Sequence, residues 1–268
     1  MQVFTTASNK WSHYLIYPML LLLWEGIARL YPPVILPGPI ETLHALAALV
    51  TKGGFWQPVV HSFLRFAAGF GLSLVLGGGL GIGAGRNETV FKLVRPAITL
   101  LQAVPPVSWM LLAILWLGVQ GGAQILVVTI ALLPVFFFNS IQGIRQVPRD
   151  LLEMAAVFGI SRMKRLRDIV WPAIAPFWSA ALTVSIGMGW KTVVMSELIS
   201  GQTGIGAAMN TARIYVKTED VMAWTLVVAF LGIVLEALAR KYTVNKRGRL
   251  ADAIQASHRQ IRESSDHF

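Results

Sequence analysis

Long apolar runs broken by short polar ones set the pattern of this chain. The hydrocarbon core of a bilayer, about 30 Å thick, is crossed by about 20 helical residues and offers no water to open backbone groups. Six segments meet that requirement, near residues 14–30, 61–85, 95–117, 124–144, 171–199 and 221–239. The pattern therefore predicts an all-α integral membrane protein of about six transmembrane helices. Pro105-Pro106 interrupts the third segment and Pro176 enters the fifth, and either kinks its helix or moves its start. Pro32-Pro33 and Pro37-Gly38-Pro39 lead into 40–50, where Leu43, Leu46, Ala47 and Val50 recur at helical spacing, the mark of an interfacial helix on the outer face. Gly201 to Gly206 is a glycine-rich turn before a second short outer element at 207–216. Lys10 and the apolar run 14–23 resemble the start of a secretory signal, but no A-x-A site follows and the run continues through Trp24, Ile27 and Leu30. A retained first helix is favoured over a cleaved one.

Composition agrees: 55% of residues are hydrophobic and 13% charged, with a mean hydropathy of +0.61, too apolar for an ordinary soluble domain. A net charge of +10 in a soluble protein would suggest nucleic acid. Here, however, the basic residues lie between apolar runs and report topology instead. With the N-terminus inside, the cytoplasmic side holds Lys10, Arg86, Lys92, Arg95, Arg145, Arg149, Arg162, Lys164, Arg165, Arg167, Arg240, Lys241, Lys246, Arg247 and Arg249. The outer side holds only Arg29, Lys52, Arg213 and Lys217, and an even number of spans leaves both termini cytoplasmic. Cysteine is absent, which excludes disulfides and thiolate chemistry. His13, His44, His61, His258 and His267 are scattered without HExxH or similar spacing, so no metal site is expected. The aromatics Trp24, Trp56, Trp116, Trp171 and Trp224 fall near span ends and read as interface anchors.

Between the fourth and fifth spans lies a stretch too polar to cross a bilayer and too patterned to be a loop. Leu151, Leu152, Ala155, Ala156 and Phe158 suggest one apolar helix face, Gly159 a helix-ending glycine, and Ser161 the cap of a second helix through Ile169. A short helix, a sharp turn and another helix on the cytoplasmic face can dock as a knob into a groove of a soluble partner. Glu153, Ala155, Gly159, Ile169 and Pro172, in that order, resemble the "EAA" coupling motif of ABC importer permeases, with Met154 and Trp171 standing where Ala and Leu are usual. Pro37-Gly38-Pro39, the run 101–118 with Val104-Pro105-Pro106, and Glu197-Leu-Ile followed by Gly204-Ile-Gly206 are similar to the nitrate/sulfonate/taurine branch of these permeases. The likeness covers about 36–241.

The resemblance implies a type I importer (MetI-like) permease fold in a bacterial inner membrane. It divides the chain into a first span and outer helix at 1–60, a permease core at 61–241 with coupling helices at 149–168, and a cytoplasmic tail at 242–268. It implies that Glu153, Ala155, Ala156, Gly159, Ile169 and Pro172 meet an ATPase. It also implies a homodimer or paired permease, two cytoplasmic ATP-binding subunits and an extracytoplasmic substrate-binding protein. The solute is expected to be small and anionic, of the nitrate, sulfonate, taurine or bicarbonate kind, although some relatives carry neutral or cationic vitamin precursors. No cofactor is expected on this chain, ATP and its Mg²⁺ belonging to the partner. In keeping with that division, the sequence contains no G-x-x-x-x-G-K-[ST] phosphate loop. The run Gly77-Gly78-Gly79, Gly81, Gly83, Gly85 falls inside a span and reads as a helix-packing surface.

Charges inside spans cost about 2.5 kcal/mol or more and mark interior or pathway positions. Arg65, Lys191, Glu197 and Glu236 qualify. Lys191 and Glu197 do not share a helix face at the favoured three or four spacing and are expected to serve different ends. Lys191 either gives the pathway a positive field, together with Arg65, or pairs with a carboxylate of a neighbouring helix. For Arg65 the sequence favours snorkelling to the interface. Gln102, Pro105, Pro106, Ser108 and Trp109 offer either a cavity-lining broken helix or a simple kink. Gln102, Pro105, Ser108, Lys191 and Glu197 are thus the candidate pathway residues. Midplane carboxylate pairs or repeated halves, which an ion-coupled secondary transporter needs, and clustered catalytic side chains, which an intramembrane enzyme needs, are both missing from the sequence.

Overall fold

The computed structural model describes the backbone of residues 12–265 and the side chains of residues 16–148 and 150–241. Expectations resting on Lys10 and on the side chains of His13, Arg149, Lys246, Arg247, Arg249, His258 and His267 lie outside the described residues. The helices are α1 (Ser12–Ala28), α2 (Pro39–Thr51), α3 (Trp56–Arg86), α4 (Glu88–Ala103), α5 (Pro106–Leu117), α6 (Gly122–Arg145), α7 (Arg149–Val157), α8 (Arg162–Arg165), α9 (Trp171–Ser200), α10 (Ile205–Ile214) and α11 (Thr218–Ser265). No strand occurs among the described residues.

Four stretches are long and apolar enough to cross a membrane: Trp56–Arg86, Gly122–Arg145, Arg162–Ser200 and Thr218–Lys241. The α4–α5 pair adds a fifth as a broken span bent by 99°. The 17 residues of α1 fall at the short end of the range of about 17–25 that spans a bilayer. The third segment, expected as one helix over 95–117, is thus two helices, the first starting earlier, at Glu88. Pro105 and Pro106 force the residue before each into extended backbone, and Val104 (ψ 127°) and Pro105 (ψ 142°) are both extended, so the helix must stop and restart.

The fifth span also differs from expectation. Pro172 does not begin it, because the helix runs unbroken from Arg162 through a π-helical turn at Leu166–Val170 into α9. Proline is tolerated there since it falls in the first turn of α9, where its missing N–H matters least. At the other end of the chain, the backbone of α11 continues as helix to Ser265, past the apolar stretch that ends at Lys241.

The packing of α3 on α6 follows from glycine spacing. Gly69, Gly77, Gly81 and Gly85 recur at multiples of four, and a Cβ on Gly81 would lie 2.4 Å from the Phe137 carbonyl oxygen, one on Gly77 2.5 Å from that of Leu133. Gly71, Gly79 and Gly83, on other faces, would meet nothing within 4 Å. Only a stripe without side chains lets the two backbones approach this closely, and the glycine run is a packing surface as its position in a span suggests. Phe66, Val128, Leu132, Phe136, Trp190, Val194, Ile205 and Trp224 then form the main apolar core. Trp190 donates its indole N–H to the Val228 carbonyl at 3.0 Å, fastening α9 to α11. Trp224 is buried and stacked on Phe55, not an interface anchor, because the start of α11 is covered by the α2–α3 corner.

Candidate functional site

Three assemblies of polar or functional side chains stand out, one at the end of the bundle rich in Lys and Arg, one at the broken span, and one at the opposite end. The first is the connection from α6 to α9. Helix α7 ends in a Schellman turn: Ile160 N–H donates to the Ala155 carbonyl at 2.9 Å and Gly159 N–H to that of Ala156 at 3.1 Å. Gly159 has φ +67°, which a residue with a Cβ adopts at a cost of about 1–2 kcal/mol. Ser161 then caps α8 by accepting from Lys164 N–H. Leu152 and Ile169 seat the element by packing with Val147, Val170 and Ile174 at the facing ends of α6 and α9. The inward face is narrower than expected. Leu152 is half-buried and Ala155 buried, whereas Leu151, Glu153, Ala156 and Phe158 face outward, because the turn at Gly159 aims Phe158 away from the bundle. Val157 and Phe158 are 85% and 75% exposed, an apolar tip, and Arg162, Lys164 and Arg167 in the helix that follows are exposed as well. Glu153 makes no ion pair among the described residues, and Pro172 is half-buried in the first turn of α9.

The second assembly surrounds the break between α4 and α5. The Trp109 indole N–H reaches back across it to the Leu101 carbonyl at 3.3 Å, satisfying one acceptor that the interrupted helix leaves open. Gln102, Pro105 and Ser108 are exposed at this corner. Beside it lies a cavity of about 110 Å³ lined by Pro106, Val107, Met110, Val127, Lys191 and Met195 among others. Lys191 is exposed on α9 and has no carboxylate partner among the described residues. The structure therefore brings Lys191 and the Pro105-Pro106 break together, and pairing of Lys191 with a carboxylate of a neighbouring helix of this chain is not realised.

The third assembly is a buried polar lock. Glu197 is fully enclosed. Its carboxylate accepts from Ser62 Oγ at 2.6 Å, Arg65 Nη1 at 2.8 Å and Gly206 N–H at 3.2 Å. Arg65 also donates to the Thr203 carbonyl and, at 2.6 Å, to Thr203 Oγ1, while Ser62 Oγ accepts from Ile205 N–H at 2.8 Å. The turn 201–206 is thereby tied to α3 and α9 together. Gly204 (φ +108°) and Gly206 are required for it: a Cβ on the first would lie 2.3 Å from the Glu197 carboxylate, and one on the second 2.2 Å from the Val194 carbonyl. Arg65 does not snorkel; it is buried and paired, since a carboxylate at its own depth is a better partner than distant headgroups. Glu197, grouped by sequence with the pathway candidates, lines neither the cavity that holds Lys191 nor the one beside Thr203 and Gly204. Ser62 and Thr203 escaped sequence reasoning. Opposite charges near the outer ends of two spans were the available signal. Glu236 pairs with Arg240 at 3.0 Å, half-exposed, at the other end.

The profile of the family described as "binding-protein-dependent transport system inner membrane component" matches residues 75–242. The taurine transport system permease protein TauC of Escherichia coli is 28% identical over 236 residues, covering 84% of this chain and 86% of that protein. The bicarbonate transport system permease protein CmpB of Synechococcus elongatus is 28% identical over 186 residues, covering 69% and 66%. Among solved structures, an inward-facing form of the MetNI methionine ABC transporter superposes with a TM-score of 0.57 at 17% identity, covering 74% of this chain and 96% of the matched one, a likeness of fold alone.

Proposed function

Because the chain belongs to the binding-protein-dependent transport system inner membrane components, a family of translocation subunits and not of enzymes, we propose that it forms the pathway of an ATP-driven importer for a small anionic solute. The observation that carries this is the α7–Gly159–α8 knob, whose apolar tip is exposed although its base is firmly seated. An exposed apolar tip on a firmly seated helical turn is a surface suited to a protein partner. The partner is a cytoplasmic ATP-binding subunit, one for each of two paired permease chains, and ATP and Mg²⁺ reside there. An extracytoplasmic binding protein delivers the solute to the opposite end, both termini of the chain being cytosolic and the membrane a bacterial inner membrane. Closure of the ATPases on ATP moves the knobs, and the paired bundles alternate between outward and inward access.

Lys191 and the broken span line that route. An unpaired ammonium inside a span is costly unless it meets water or an anion, and a half-helix beginning at Pro106 turns the positive end of its dipole toward the same corner. The two relatives named above support a solute with an anionic head, since bicarbonate is an anion and taurine a zwitterion whose sulfonate end is negative. The cavity has room for about three to four water volumes of roughly 30 Å³ each, and its wall is apolar apart from Lys191, Thr192 and Ser196. That lining suits an anionic head on a short stem.

The test is reconstitution of the permease with its ATPase and binding protein in proteoliposomes. Lys191→Met is expected to lower uptake of the anion about ten-fold, the equivalent of about 1.4 kcal/mol, with assembly and ATP hydrolysis retained. Unchanged uptake would remove Lys191 from the pathway, and uptake of only neutral or cationic solutes by the wild type would overturn the anion assignment.

A further inference from the structure

The first turn of α4 is bound to the last residue of α6 by a polar contact at the edge of their apolar packing. Arg145 Nη2 donates to Glu88 Oε2 at 2.8 Å, and the same guanidinium lies 4.4 Å from the centre of the Phe91 ring. Arg95 occupies a second position over that ring at 5.4 Å. Asn87 caps α4 by accepting from Thr89 N–H at 2.9 Å, so the turn that Arg145 grips is itself rigid. The side chains of Arg145 and Glu88 are 45% and 59% exposed, and a pair so placed adds little to stability. Its geometry is nonetheless fixed from two directions, by a carboxylate and by an aromatic face.

What this contact joins gives it meaning. On one side, Arg145 is followed after Gln146, Val147 and Pro148 by α7, and Val147 is packed in the same apolar cluster as Leu152 and Ile169. A displacement of the knob therefore reaches Arg145 across three residues. On the other side, α4 is an arm of 16 residues with Pro96 inside it, about 24 Å at 1.5 Å per residue, that ends at the Val104–Pro106 break beside Lys191. The ends of α3, α6 and α9 near the knob abut so closely that a Cβ at Gly85 would lie 2.8 Å from Ile144 and one at Gly143 3.1 Å from Ile174. These three helices are tightly packed at that end, and α4 lies against α3 and α6 through Val90, Phe91, Val94 and Ile98, so a push at Phe91 bears on the helix that ends at the break.

We propose that Arg145 is a positioning residue of transport: through Glu88 and Phe91 it carries the movement of the α7–α8 knob into α4, and so to the broken corner of the pathway. The inference rests on the reading that an ATPase drives the knob. Its signature is the amount of solute moved per ATP hydrolysed, a ratio that a merely structural role would leave alone.

The experiment uses the whole complex in proteoliposomes with Arg145→Gln, Phe91→Leu and the exchange Glu88→Arg with Arg145→Glu. Arg145→Gln is expected to lower solute moved per ATP by about five-fold or more, the lower part of the range for coupling between sites, while assembly and hydrolysis stay within about two-fold of wild type. Phe91→Leu should fall between, and the exchanged pair should recover at least half of the lost ratio. ATP-driven uptake with an unchanged ratio in Arg145→Gln, or a ratio that the exchange fails to raise, overturns this inference alone. Absence of ATP-driven uptake by the wild-type complex overturns the importer reading and this inference with it.

Discussion

Glu197 and Arg65 show how one buried pair organises an entire turn. Three donors converge on the carboxylate and the guanidinium holds Thr203 twice, so the charges are both paired and hydrogen-bonded, the condition under which burial is tolerable. Removing one partner strands the other. Arg65→Met is expected to cost about 3–5 kcal/mol, seen as a marked fall in the thermal unfolding temperature of the purified protein. Adding Glu197→Gln should recover part of that loss, because the carboxamide keeps an acceptor for Ser62 and Gly206 without the stranded charge. If the two losses simply add, the pair is not coupled and the lock is misread. The sequence showed both charges and the Gly-x-Gly turn, but not that they meet. That meeting depends on the depth at which α3 and α9 pass each other, which hydropathy does not report.

At the scale of elements, most helices were legible because the requirement that a span be apolar for about 20 residues is so strong. Failures came where backbone chemistry overrides hydropathy. Pro105-Pro106 was visible as an interruption, yet the 99° turn follows from two successive extended residues and from the Trp109 contact that stabilises them. The π-helical turn at Leu166–Val170 left no mark, since Pro172 in its first-turn position reads as a helix start. The outward aim of Phe158 was missed because the nine residues of α7 are too few for periodicity to select between adjacent faces. The glycine stripe of α3 gives a paired test. Gly81→Leu, which puts a side chain against the Phe137 carbonyl, should cost at least the 1–3 kcal/mol typical of overpacking. Gly79→Leu, facing open space, should stay within about 0.5 kcal/mol. Equal folded yields of the two variants in detergent would refute the α3–α6 packing.

For the molecule as a whole, function is divided between two ends and a corner. In the function proposed above the knob of α7 and α8 receives movement, the lock at Glu197 keeps the opposite end of α3, α9 and α10 together, and the broken span beside Lys191 is the pathway corner. Arg145, in contact with Glu88 and Phe91, is the proposed link from the first of these to the third. The class of the protein was readable from the order of Glu153, Ala155, Gly159, Ile169 and Pro172 and from the spans around them, because a lever between membrane and motor needs a turn at a fixed distance from two helices. The contact of Arg145 with Glu88 and Phe91 was not readable, since the three residues are separated in sequence and ordinary in type. The chain has no cysteine, so Phe158→Cys places a single thiol on the exposed tip of the knob. The decisive measurement is the reaction of that thiol with a membrane-impermeant, photoactivatable maleimide in inside-out and right-side-out vesicles containing the whole transporter. The account predicts labelling in inside-out vesicles only, with photocrosslinking to the ATP-binding subunit. Labelling from the outer face, or inside-only labelling that never captures a nucleotide-binding partner, would contradict it.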